Sequence, residues 1–344
     1  MSGVQTLTVE PGEADQRLDR WLKRRLPQIT QGRIEKGCRK GEIRIDGART
    51  RASDRVAVGQ KVRVPPLPEA PAPKPDRAAV SPTDAEMIRA AVLYRDDHII
   101  ALNKPPGLPS QGGSGQTRHV DGLAEALRFG LEEKPRLVHR LDKDTSGVLL
   151  LARSRSIAAD LTAATRHKET RKIYWAVVAG VPHPYRGEIK YGLVKAGGGK
   201  GQGEKMRCVM PDEVVRVDGA KRAHTLYSAL YRVAGRATWV AMEPITGRTH
   251  QLRAHMAEIG HPIAGDGKYG GGSQQNLGDG WGAKMGGIIS GKLHLHARSM
   301  SVLHPVTRKI LTVTAPLPSH MRETFDTFGW TEDLAPIDPF EDYG

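Results

Sequence analysis

The stretch His139-Arg140-Leu141-Asp142-Lys143-Asp144-Thr145-Ser146-Gly147-Val148-Leu149-Leu150-Leu151-Ala152 decides how the rest of the chain is read. Charged and polar residues run through a Thr-Ser-Gly turn into an apolar run of strand length, a pattern suited to a buried strand. A carboxylate at the mouth of that strand, with Arg140 and Lys143 close in sequence, is held in place by its cationic neighbours. A second cluster, Lys172-Ile173-Tyr174-Trp175-Ala176, alternates as a strand and sends Tyr174 to the face opposite Ile173 and Trp175. A third, Thr246-Gly247-Arg248-Thr249-His250-Gln251-Leu252-Arg253-Ala254-His255, starts as a turn and continues at helical spacing, with Thr249, Arg253 and Met256 near one face. Further apolar strands lie at 98–102, 173–179 and 238–242, separated by short helices. From residue 87 onward the pattern predicts a mixed, mainly antiparallel α+β domain.

Taken singly, each cluster has an ordinary explanation. An Asp beside an Arg is most often a structural ion pair, and a strand Tyr is most often core. His250 and His255 lack a cysteine or a well-spaced third ligand, so no metal site is expected. His294 and His296 alternate on a strand and suit packing or hydrogen bonding. The Gly-rich stretches 197–203 and 270–291 lack the framing of a phosphate-binding loop and read as loops or insertions.

The net charge of +14 is unevenly spread. Residues 17–63 hold 15 Lys or Arg against 5 Asp or Glu, the footprint of a polyanion binder. Leu18, Leu22 and Leu26 make one helical stripe that Pro27 ends. A second helix starts behind Thr30 as N-cap, turns Ile34 and Cys38 inward and exposes Arg33, Lys36, Arg39 and Lys40, until Gly41 stops it. Glu42-Ile43-Arg44-Ile45-Asp46-Gly47 then alternates into a strand and turn, with Val56, Val58, Val62 and Val64 as further strand material. This pattern, with Lys40-Gly41 leading into the strand, resembles the S4-type RNA-binding domain.

Seven prolines over residues 65–82 mark a linker that packs no core. The expected domains are therefore 1–64 (a small α+β S4-like domain), 65–86 (linker), 87–320 (the larger domain) and 321–344, a loosely attached acidic tail. No apolar run reaches the roughly 18 residues of a membrane span, and residues 1–16 carry no signal-peptide pattern. Two distant cysteines, Cys38 and Cys208, make neither a disulfide framework nor a zinc site and fit a reducing cytoplasm.

Together the clusters point further. His-Arg-Leu-Asp-x-x-Thr-Ser-Gly at 139–147, Lys-x-Tyr-x-Ala at 172–176 and Thr-Gly-Arg-x-His-Gln-Leu-Arg at 246–253 resemble the RluA-type pseudouridine synthases. Supporting runs are Asn103-Lys104-Pro105 with Gly107, His261-Pro262-Ile263, Gly265-Asp266, Tyr269-Gly270 and Leu295-His296-Ala297. The resemblance spans roughly residues 90–318. The basic N-terminal domain and Gly112-Gly113-Ser114-Gly115 place it nearest the ribosomal large-subunit branch, in particular the C type. It implies that Asp142 is the nucleophile, attacking C1′ of the ribose or C6 of the base. Arg253 would pair with Asp142, and Tyr174 would stack on the base or move a sugar proton. Arg140 would enter the RNA helix where the target uridine leaves, and His139, Thr145, Arg248 and His250 would complete the RNA-binding set. The reaction it implies is a redox-neutral isomerisation of structured RNA needing no cofactor. Monomeric action on a large RNA is the default expectation, and the lack of a long apolar run argues against membrane contact. Competing classes are a catalytically idle RNA-binding or ribosome-assembly protein, a synthase acting on transfer RNA, and a hydrolase using Asp142 with Asp144.

Overall fold

A computed structural model describes residues 3–67, 80–112, 118–165, 170–196, 205–270 and 288–341. It divides into two units, Met1–Ala79 and Val80–Gly344. In the small unit the elements are β1 (Gln5–Thr8), α1 (Leu18–Arg25), α2 (Gln31–Lys40), β2 (Arg44–Ile45), β3 (Ala48–Arg49) and β4 (Lys61–Val64), with sheet order β1-β4-β2-β3. Helix α1 buries Leu18, Trp21 and Leu22, the stripe spacing required. Thr30 caps α2 by accepting from the Arg33 N–H at 3.3 Å, and Gly41 closes it in the left-handed conformation (φ 71°) that costs a glycine nothing. Lys36, Arg39 and Lys40 are exposed, whereas Arg33 is half-buried and paired with Glu42 at 2.9 Å. Strand β2 is shorter than the alternation of 42–47 implies. The N–H groups of Glu42 and Ile43 both turn back to the carbonyl of Gly37, so the helix end takes donors a strand would need. Val58 stands exposed at a turn rather than in a strand.

The linker differs from its expected bounds. Leu67 is buried in the small core, and a helix of the large unit begins at Pro82, capped by Ser81; residues 68–79 lie outside the described residues.

In the large unit the helices are α3 (Pro82–Ala90), α4 (Val120–Leu123), α5 (Arg155–Ala164), α6 (Gln251–Glu258) and α7 (Ser319–Phe328). The strands, in chain order, are β5 (Val92–Arg95), β6 (Ile99–Lys104), β7 (Arg136–Leu137), β8 (Ser146–Ala152), β9 (Arg171–Ala179), β10 (Arg186–Ile189), β11 (Gly192–Lys195), β12 (Met206–Val209), β13 (Lys221–Arg222), β14 (Thr225–Val233), β15 (Ala237–Pro244), β16 (Leu295–Leu303) and β17 (Ile310–Thr314). Among the described residues the main sheet runs β10-β14-β15-β9-β16-β8-β6-β5, with β7 on β8 and β17 on β16. Its pairings are antiparallel except β8 with β16, so the α+β, mainly antiparallel expectation holds. A second, small sheet, β12-β11-β13, is built from the segment between β10 and β14, on either side of the Gly-rich stretch 197–203.

Strand β8 is buried along its whole length, which explains its unbroken apolar run. Gly147 sits where β8 meets β16, at φ 107°, and a β-carbon there would lie 2.2 Å from the Ala297 carbonyl oxygen. Gly147→Ala is expected to destabilise the fold by about 3 kcal/mol or more, since backbone strain and overpacking each cost roughly 1–3 kcal/mol. Thermal unfolding checks this, and an unchanged Tm would contradict it.

The end of the chain is not a loose tail, as expected for 321–344. Met321, Phe325, Trp330 and Phe340 are buried against Trp175 and Trp239, and Trp239 lies 4.7 Å from both Trp175 and Phe325, ring centre to centre. Arg171 also pairs with Asp338 and, at 2.8 Å, with Glu243. Four large apolar side chains spaced through acidic sequence outweigh its charge, because each is worth roughly 2 kcal/mol on burial.

Candidate active site

The loop between β7 and β8 presents Asp142, and its two chain neighbours are each pinned from the β6 side. On one flank, the Ser110 hydroxyl donates to the Leu141 carbonyl at 2.7 Å and accepts from the Leu141 N–H at 3.0 Å. On the other, the Lys143 carbonyl accepts from Lys104 Nζ at 2.9 Å and from the Gly107 N–H at 3.0 Å. Lys104 is fully buried and also donates to the carbonyls of Pro105 and Leu108, both at 2.9 Å. Burial pushes its pKa down to about 7, against the pull of Asp144 and then Asp142. Three carbonyls are the acceptors a protonated amine needs. The Asn103-Lys104-Pro105 run and Gly107 thus serve to fix the loop. Asp142 keeps 27% of its side chain accessible.

Arg253 reaches Asp142 from the first turn of α6. A hydrogen-bonded turn sets that helix. The Gln251 side chain accepts from Thr246 Oγ1 (2.7 Å) and the Arg248 N–H (3.1 Å), and donates to the His224 carbonyl (2.8 Å) and Thr225 Oγ1 (2.9 Å). Farther along α6, His255 is held by Thr225 Oγ1 at 2.9 Å. The expected Arg253–Asp142 pair exists, yet it is the weaker of two. Nη1 lies 3.4 Å from Asp142 Oδ2, whereas Nε and Nη2 form a fork on Asp266, each at 2.7 Å. Asp266 also accepts from the N–H groups of Lys268 (3.0 Å) and Tyr269 (3.2 Å). Burial opposes the Arg253 charge, but the Asp266 bonds and then Asp142 outweigh it and raise its pKa.

The remaining expected residues divide. Tyr174, on β9 opposite Trp175, is packed between the clusters around Leu141 and Leu252. Burial raises its phenol pKa well above the ordinary value, and the nearby Asp142 charge adds to this. Arg140 is exposed and makes no ion pair among the described residues. His250 faces Asp142 Oδ2 from 3.8 Å. Arg248 is exposed at the rim and donates to the Arg222 carbonyl at 3.1 Å. Two expectations change. His139 Nε2 accepts from the Leu150 N–H at 3.0 Å, and burial, then the Lys172 charge, lowers its pKa to about 3, so it anchors β8 rather than meeting RNA. Thr145 is 2% exposed and lies beneath the loop. Sequence reading missed Ser110, which lies between the Asn103-Lys104-Pro105/Gly107 run and Gly112 without belonging to either, and the fork partner Asp266, flagged only as part of a Gly-Asp run. Among the described residues no group of His, Cys, Asp and Glu has the arrangement of a metal site.

The arrangement is a partly exposed carboxylate, fixed on both flanks, with one oxygen facing a guanidinium and an imidazole and a neutral phenol nearby. Such a group suits nucleophilic attack. Comparison with known proteins agrees in kind. Residues 98–258 match the RNA pseudouridylate synthase family, and residues 16–62 match the S4 domain. The "Ribosomal large subunit pseudouridine synthase C" of Vibrio cholerae is 35% identical over 325 residues, 93% of this chain and 95% of that protein. The protein of the same name from Escherichia coli K12 gives the same identity and coverage, 35%, 93% and 95%. The structure titled "Human RNA Pseudouridylate Synthase Domain Containing 4" is 29% identical with a TM-score of 0.57, covering 71% of this chain and 95% of that one.

Proposed function

The chain belongs to the RNA pseudouridylate synthase family and carries an N-terminal S4 domain, and on that premise we propose that this isomerase acts on uridines of large-subunit ribosomal RNA with Asp142 as its nucleophile. The observation that carries the reading is the meeting of three distant sequence clusters at one carboxylate: Asp142 on its pinned loop, Arg253 on α6 and Tyr174 on β9. The ribosomal target is supported by relatives of that name matching over nearly the whole chain, S4 domain included. Measuring pseudouridine formation on large-subunit and transfer RNA transcripts tests it, and preference for transfer RNA would overturn the target.

The chemistry asks for a group that attacks and leaves. Uridine to pseudouridine exchanges the N1–C1′ bond for C5–C1′, while C5 loses a proton and N1 gains one. Asp142 attacks C1′, expelling the uracil with the bonding pair on N1, and is released when C5 displaces it from C1′; or it adds to C6 to loosen the N1–C1′ bond, and is released when the C6–O bond breaks after C5 has joined C1′. Tyr174 stacks on the base. Burial and the nearby Asp142 charge raise its pKa, which keeps the phenol neutral and supports stacking over the role of acceptor for a sugar proton.

A uridine inside a helix is unreachable, so it must be flipped out at a cost of a few kcal/mol. Arg140 fills the gap with a planar guanidinium, a role that its exposure beside buried Leu141 supports. Arg140→Ala is expected to slow modification of a paired uridine about tenfold more than of the same uridine in an unstructured oligonucleotide, since roughly 1.4 kcal/mol of unstacking support is a factor of ten. Equal losses on both substrates would place Arg140 in folding or in orienting Asp142 instead.

The S4 domain supplies affinity through its free cations. Replacing Lys36, Arg39 and Lys40 together with Ala is expected to weaken RNA binding and reduce the slope of log K against log salt by about 1 per lost phosphate contact. Turnover at saturating RNA should be unchanged. An unaltered salt slope would remove α2 from the interface.

A further inference from the structure

We propose that His250, locked by Tyr269 into the tautomer with its proton on Nε2, is a positioning residue that holds Asp142 Oδ2 together with Arg253 and leaves Oδ1 as the attacking oxygen. The inference rests on the reading of Asp142 as nucleophile.

The hydrogen bonds set the tautomer. The Tyr269 hydroxyl oxygen accepts from the Met206 N–H at 2.8 Å and lies 3.0 Å from His250 Nδ1. The hydroxyl is buried and has one proton to place. Among the described residues, Nδ1 is the acceptor within its reach, so Tyr269 donates and Nδ1 is unprotonated. The imidazole proton of a neutral ring then sits on Nε2, the nitrogen facing Asp142 Oδ2 from 3.8 Å. Charges around the ring come from several elements: Asp142 on its loop, Arg253 on α6, and Asp266 and Lys268 after it. Burial, the largest influence, keeps the ring neutral, and burial likewise raises the Tyr269 phenol to about 12, so it retains the proton it donates.

The backbone supports a dedicated role. His250 takes a left-handed conformation (φ 52°, ψ 21°) immediately before α6, a region costly for a residue with a β-carbon. That conformation starts the helix while turning the ring toward the carboxylate. Tyr269 is held in turn between cations, with Arg253 at 5.2 Å and Lys205 at 5.5 Å from its ring centre. Met206 lies on β12, so the small inserted sheet is tied directly to the site through this chain of bonds.

Asp142 Oδ2 therefore faces two donors, and Oδ1 makes no hydrogen bond among the described residues. Attack uses a lone pair of Oδ1 to form the bond to carbon. On collapse of the adduct that pair returns to Oδ1, and the regenerated anion meets Nη1 of Arg253 and Nε2–H of His250. His250 gives up no proton. At 3.8 Å the imidazole stands just outside bonding distance, and such contacts commonly tighten only in the reacting complex.

The test combines steady-state kinetics on a large-subunit RNA transcript with ¹⁵N NMR of the histidine rings in the intact enzyme. His250→Leu is expected to lower kcat about 100-fold with KM for RNA within about twofold, the size of losing one preorganised donor. His250→Gln, which offers an amide N–H near the Nε2 position, should recover to within about tenfold of wild type. Tyr269→Phe should lower kcat about tenfold and convert His250 from the single Nε2–H tautomer to a mixture. An unchanged kcat in His250→Leu, or a wild-type His250 ring protonated at Nδ1 near neutral pH, overturns the proposal. The NMR result needs no variant to fold. It also does not depend on Asp142 being the nucleophile, so failure of that reading is recognised separately by turnover in Asp142→Asn.

Discussion

Asp142→Asn is expected to abolish pseudouridine formation, by at least about 10⁴-fold, while the protein folds and binds RNA. The amide keeps the shape of the side chain and removes the attacking charge, and loss of a covalent nucleophile commonly costs that much or more. Fold and loop are held by groups that the substitution leaves alone: Ser110 on Leu141, and Lys104 and Gly107 on Lys143. Asp144 is the internal control. It is exposed and reaches the site only through its charge on Lys104. Asp144→Asn should therefore lose only about twofold to fivefold. Nucleoside analysis of digested product RNA, with binding measured in parallel, checks both. Comparable losses in the two variants would mean that local charge, not nucleophilicity, is what the loop supplies; they would also revive the hydrolase-like pairing of the two carboxylates.

Arg253→Met carries the second large effect, on stability and activity at once. Among the described residues, the substitution leaves the fully buried carboxylate of Asp266 with the N–H groups of Lys268 and Tyr269 as its donors. Breaking a buried ion pair from one side costs roughly 3–5 kcal/mol, enough to lower Tm by about 10 °C in a unit of this size. Activity should fall at least about 100-fold, because the guanidinium is also a donor on Asp142. The double variant Arg253→Met, Asp266→Asn separates the two. Removing the stranded charge should return much of the Tm without returning activity. Recovery of both would make Arg253 a purely structural residue. Differential scanning calorimetry and turnover on the same samples decide.

What could be read from the chain and what could not follows a physical division. Helix α2 was legible in full, because cap, stripe and glycine stop all lie within twelve neighbouring positions. Strands β8 and β15 and the second half of β9 were legible because burial on both faces leaves a continuous apolar signature, while the half-buried start of β9 showed through its alternation. The family followed from three long motifs. Their internal logic did not. Gln251 looks like an ordinary helix residue until its four hydrogen bonds show that it shapes the turn delivering Arg253. His139 entered the expected RNA-binding set through the family motif, and only the geometry shows its ring accepting from the Leu150 N–H of β8. Asp266 is thirteen residues from Arg253, with a turn between, and no periodicity links them. The carboxyl-terminal segment misled for a different reason. Acidic and proline-rich composition suggested a tail, but Trp330 and Phe340 each find a place in the aromatic core under the sheet.

One carboxylate acting on one class of RNA is the centre of the proposed function. Its most direct test is to map pseudouridines in ribosomal RNA from cells lacking the gene and from the same cells carrying wild-type, Asp142→Asn or Asp144→Asn copies. Specific sites in the large-subunit RNA should disappear with the gene and return with the wild-type and Asp144→Asn copies, and stay absent with Asp142→Asn. Restoration of those sites by Asp142→Asn, or a deletion that leaves every large-subunit site in place, would contradict it.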